Sequence, residues 1–159
     1  MGLDDTDTII IGLGNPILGD DAVGLHVLRA VAERLELGEA DTREASVGGM
    51  ELVELMMGYR RAVLIDAIRT RGGEVGTVYR ITPEDFKETA HASNLHNVSF
   101  TQALKVWGEL GSAPLPEHIV IFAIEVEDPY SFREGMSPAV ASAVTKAADM
   151  VLSEIRHAH

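Results

Sequence analysis

The sequence predicts a single three-layer α/β domain, with a mixed five-stranded sheet and helices on both faces. Three observations carry that prediction. Two short runs, Ile9-Ile10-Ile11 and Ala62 to Ile65, are wholly apolar, which is the signature of strands buried on both faces of a parallel sheet. Such strands alternate along the chain with segments of helical apolar spacing. One pair of strands is joined too closely for a helical crossover, which makes the sheet mixed rather than purely parallel.

The elements follow in order. After Ile9 to Ile11, Ala22 to Leu37 reads as a helix, because Val23, Val27, Val31 and Leu35 recur on one face and Gly38 stops the run. Asp41 to Val47 is a second strand, and Gly48-Gly49 turns the chain into a short helix, Met50 to Met57, ended by Gly58. Ala62 to Ile65 is the third strand, with Asp66 expected just past its end. Arg71-Gly72-Gly73 is a turn, and Gly76 to Ile81 alternates as a strand expected to pair antiparallel with the third. Thr82-Pro83-Glu84-Asp85 has the threonine, proline and acid of a helix start. Ala90 to Asn97 is a polar loop holding His91 and His96, and Ser99 to Leu110 is helical. His118 to Val126 is the last strand, and Ser137-Pro138 opens a closing helix with Val140, Val144, Val151 and Ile155 on one face. Residues 1–7 and 156–159 are expected to be flexible ends of the one domain.

Composition narrows the class. The chain has 159 residues, 46% of them hydrophobic, which suits one well-buried core. No apolar run is long enough to span a bilayer, and the acidic start Met1 to Thr8 is unlike a signal peptide, so the chain reads as cytoplasmic with no membrane partner. With no cysteine, disulfides, thiolate metal sites and a cysteine nucleophile are excluded. The net charge of −12 argues against a nucleic-acid partner, which would need clustered Lys and Arg. The densest basic spot is Arg60-Arg61, with Arg69 and Arg71 nearby in sequence.

The stretch Ile9 to Gly24, I-I-I-G-L-G-N-P-I-L-G-D-D-A-V-G, builds a site. A strand passes through a glycine-rich turn into a helix, and the end of such a strand is where open α/β sheets bind ligands. A dinucleotide fingerprint fails here. Gly14 is followed by Asn15-Pro16-Ile17 where a third glycine is required, and Asp20-Asp21 would repel a pyrophosphate. One of these two acids is expected to cap the helix and the other to face the cleft. Asp21 after the first strand, Asp66 after the third and His96 before a helix lie where chain reversals would bring them together. Two carboxylates and an imidazole suit a borderline divalent metal such as zinc or nickel and leave positions open for a substrate. His91 competes with His96 on spacing alone. His118 stands at a strand start, His26 lies within a helix, and His157 and His159 fall in the tail.

These motifs resemble those of the hydrogenase maturation endopeptidases. The likeness runs through G-L-G-N-P-I-L-G-D-D-A-V-G, G-G-M-E-L-V-E-L, V-L-I-D-A, L-H-N-V-S-F and I-E-V-E-D-P-Y-S-F-R-E-G-M-S-P, in order, from about Ile9 to Ile155. The resemblance implies a cytoplasmic protease that removes the C-terminal extension from the large-subunit precursor of a nickel-iron hydrogenase. It also implies that Asp21, Asp66 and His96 are the metal-contacting and catalytic set, and it favours His96 over His91. The nickel would be carried by the substrate, with zinc or cadmium able to substitute in the isolated protein. Two features depart from the family pattern. Glu44-Ala45-Ser46-Val47 stands where many members have Asp-Gly-Gly-Thr, and Asp21 stands where some carry Glu. Two other functions compete. A nickel-sensing chaperone could use the same three ligands without cutting. A peptidyl-tRNA hydrolase shares the opening I-I-I-G-L-G-N-P, but that likeness ends at Pro16.

Overall fold

The computed structural model describes residues 6–15, 19–46, 50–83, 115–127 and 135–157. The expected helices after Thr82 and over Ser99 to Leu110, with His91 and His96, lie outside the described residues.

Five strands form one sheet: β1 (Thr8–Leu13), β2 (Asp41–Ala45), β3 (Arg61–Ile68), β4 (Val78–Ile81) and β5 (His118–Glu125). Their order is β2-β1-β3-β5-β4, parallel throughout except for β4, which runs antiparallel. The central strands are the apolar ones, as burial on both faces requires. Alternation sorts their side chains into two cores. Ile10, Val63, Ile65, Phe122 and Ile124 meet α1 (Val23–Arg34) and α3 (Pro138–His157) on one face. Ile9, Ile11, Leu64 and Ile121 meet Leu52, Val53 and Met56 of α2 (Met50–Met56) on the other. Each such side chain, fully buried, contributes about 1.5–3 kcal/mol. The result is the mixed three-layer arrangement that the apolar runs imply.

The partner of β4 differs from expectation. Its neighbour is β5, not β3. The far edge of β3 is taken by β5, in register from Arg61 beside His118 to Ile68 beside Glu125. The apolar run Ile119 to Ile124 gains more from a central place than β4, with its half-exposed Tyr79 and Ile81, could. Residues 69–77 are long enough to step across that one strand. Gly76 N–H then donates to Glu125 O at 2.8 Å, and Glu125 N–H donates to Thr77 O at 2.8 Å.

Element ends follow local chemistry. Gly58 takes a φ of 87° just beyond α2, where a left-handed residue ends a helix. Helix α1 stops earlier than expected, at Arg34 with an extended Leu35 as its C-cap, and Gly38, with a φ of 83°, turns the chain only afterwards. Helix α3 extends through His157, and Arg156 near its end donates to Glu39 at 2.9 and 3.0 Å. No helix among the described residues is long and apolar enough to cross a membrane.

Candidate active site

Because β1, β2, β3 and β5 are parallel, their C-terminal ends share one edge of the sheet. The glycine-rich segment lies over that edge. Close approach requires the glycines: a Cβ on Gly24 would overlap the carbonyl oxygens of both Leu13 and Ile65, and one on Gly14 would overlap the Asp21 carbonyl. The first turn of α1 therefore rests on the ends of β1 and β3. Gly14 N–H donates to Ala45 O at 3.0 Å, which ties the same turn to β2.

Asp20 and Asp21 fall in a 3-10 turn, Gly19–Ala22, that leads straight into α1. The N-cap of α1 is Ala22, with no side-chain cap, so neither acid caps this helix as expected. Asp20, 3% exposed, serves a different one. It accepts Ser137 N–H at 2.8 Å and the Ser137 hydroxyl at 3.1 Å, at the start of α3. Asp21, 6% exposed, accepts Asn15 N–H at 2.9 Å through Oδ2, closing the loop between β1 and the turn.

Asp66 does not follow the third strand. It lies within it, because pairing with β5 keeps β3 extended to Ile68. It stands beside Ala123, shares the α2 side of the sheet with Ala62, Leu64 and Ile68, and is 1% exposed. Its Oδ1 accepts the Ala67 N–H at 2.8 Å. Asp21 and Asp66 thus belong to the same edge, one from the turn above β1 and one from β3, and the 3-10 turn touches β3. His96, the third member of the set, lies outside the described residues. Among the described residues no three His, Asp or Glu side chains form a metal-holding group.

A further buried carboxylate shares this edge and was not singled out from sequence. Glu125, 1% exposed, ends β5 beside Ile68, on the same face as Asp66. It accepts Thr70 N–H at 2.7 Å and the Tyr79 hydroxyl at 3.0 Å, and it also accepts the Thr70 hydroxyl. The signal was the one that marked Asp66, an acid closing an apolar strand. Tyr79 holds its proton more firmly than an ordinary phenol, chiefly through burial.

A second concavity lies elsewhere. A cleft of about 540 Å³ lies at the opposite edge, lined by Arg60, Arg61, Arg80, His118 and Glu154. Its arginines are engaged: Arg60 with Glu117 at 3.3 Å, Arg80 with Glu154, and Arg61 with the carbonyls of Glu154 and Ile155 at 2.9 and 3.4 Å. The buried carboxylates and the close-packed glycines favour the C-terminal edge instead, where α/β sheets bind ligands. Oxygen ligands there suit a divalent ion or general acid–base work on water.

Comparison with known proteins agrees in fold and family. The hydrogenase maturation protease family model (HycI) matches residues 25–154. The hydrogenase 2 maturation protease of Escherichia coli K12 is 23% identical over 150 residues, covering 93% of this chain and 90% of its own. The solved hydrogenase maturating endopeptidase HybD of E. coli superposes with a TM-score of 0.78 at 21% identity, covering 94% of this chain and 91% of that one. The [NiFe] hydrogenase maturation protease HybD of Thermococcus kodakarensis superposes at 0.72 with 24% identity, covering 92% and 97%. With the family model spanning most of its length and the same fold in those structures, this chain belongs to the hydrogenase maturation proteases and is a peptidase.

Proposed function

We propose that this peptidase removes the C-terminal extension from a nickel-iron hydrogenase large-subunit precursor in the cytoplasm, once nickel has been inserted. The observation that carries the reading is the family match over residues 25–154. The buried carboxylates Asp21 and Asp66 at the C-terminal edge of the sheet support it. In this reading Asp21, Asp66 and His96 contact nickel that the substrate brings, and so report that insertion is complete. Hydrolysis adds water across the peptide bond, hydroxyl to the carbonyl carbon and a proton to the departing amine. Either a carboxylate draws the proton from water or the substrate's metal polarises the carbonyl, and the three residues suit both routes.

Three ligands leave a coordination shell incomplete, so the isolated protein should bind nickel, zinc or cadmium weakly, and Asp21→Asn or His96→Ala should weaken it further. Calorimetric titration of each ion checks this. A stoichiometric metal that survives chelation would contradict it. The direct test of function is incubation with nickel-loaded precursor, followed by mass spectrometry. A shortened large subunit with a released C-terminal peptide is expected. A precursor left intact would overturn the reading.

A further inference from the structure

The basic residues that the sequence sets close together are parted by β3. Arg61 opens that strand and Arg69 follows its last residue, so at about 3.3 Å per residue the two groups stand roughly 25 Å apart, at opposite edges of the sheet. The arginines at the N-terminal edge are engaged, as described above. Arg69 and Arg71 are both exposed, and among the described residues neither has a carboxylate partner. They lie on the edge that holds Asp66.

The loop that carries them is firmly built. Gly73 N–H donates to Thr70 O at 3.4 Å, and Gly72 between takes a φ of 76°, which places Arg71 at the tip of a tight turn. Buried Glu125 grips the base of this turn through the backbone N–H and hydroxyl of Thr70. Gly73 lies so near that a Cβ there would overlap the Glu125 carboxylate. The backbone between the two arginines is therefore pinned to the end of β5.

In a chain of net charge −12, most of the surface repels acids. Two exposed guanidinium groups on a pinned turn, set against one exposed acid there (Glu74) and the buried Glu125, offset that locally, and guanidinium is the side chain best matched to carboxylate. We propose that Arg69 and Arg71 form a docking point for acidic side chains of the polypeptide substrate beside Asp66. The identity of that substrate rests on the function proposed above.

The test compares wild type with the Arg69→Gln/Arg71→Gln double variant, whose sites are exposed and whose fold should be unaffected. With nickel-loaded precursor, KM should rise about fivefold to tenfold, as two exposed ion pairs imply, while kcat stays within about twofold. Replacing acids of the precursor's extension by amides should raise the wild-type KM and leave that of the double variant unchanged. A second arm needs no hydrolysis. A fluorescein-labelled Asp-Ser repeat peptide should bind wild type more tightly than an Asn-Ser repeat at low salt, and the double variant should not distinguish them. An unchanged KM in the double variant, or equal binding of both peptides by wild type, would overturn the docking point. Failure of wild type to process any precursor would overturn the proposed function instead, and the peptide arm would still decide the role of the arginines.

Discussion

Asp66 is a carboxylate inside a central strand, and its Oδ1 takes up the N–H of the next residue. Asn keeps the size and that acceptor while removing the charge. Asp66→Asn should therefore abolish precursor processing and shift the melting temperature by only a few degrees. Gel assay and thermal denaturation on one preparation check both halves. Tyr59 gives a pH-dependent prediction. Its hydroxyl donates to Asp41 at 2.6 Å, and this bond, aided by burial, raises the phenol above its ordinary value of 10.0. The fold favours the protonated phenol, so the contribution is complete below pH 10 and disappears as pH rises through the elevated value. Tyr59→Phe should cost about 1 kcal/mol at pH 7. That gap should close in urea titrations above pH 10.

Among the elements, a long-range connection joins the opening motif to the closing helix. Asp20 receives both the N–H and the hydroxyl of Ser137, across 117 residues of sequence. Asp20→Ala should cost about 2 kcal/mol in urea unfolding, by removing a buried capping acceptor. An equally stable variant would show that Ser137 finds another partner. Contacts of this reach mark the limit of what the sequence displays. The cores of β1 and β3 were legible because Ile9 to Ile11 and Ala62 to Ile65 are apolar without interruption, α1 because Val23, Val27 and Val31 share one buried face, and α2 because Gly58 stops it. The extension of β3 past Asp66 was not legible, since it depends on β5 pairing alongside. Nor was the placing of β5 between β3 and β4, which is a competition among strands far apart in the chain. An acid at a helix entrance looks like a local cap, and only the hydrogen bonds from Ser137 show that Asp20 serves another helix. Asp21 and Asp66 stood out as candidates because charge so near an apolar strand is rare. Glu125 carries the same mark in a motif whose length hid it.

At the scale of the molecule, one edge of the sheet combines buried carboxylates, glycines that admit close approach, and a pinned arginine turn. The opposite edge holds arginines engaged by Glu117, Glu154 and the end of α3. Under the two proposals above, this division of charge suits a substrate that presents a cation and acids together. The central claim is that cleavage depends on nickel in the substrate. Initial rates on nickel-loaded and nickel-free precursor, prepared identically and compared at equal concentration, test it most directly. Rapid cleavage of the loaded form and none of the empty form is expected, and processing of the empty precursor at the full rate would contradict it.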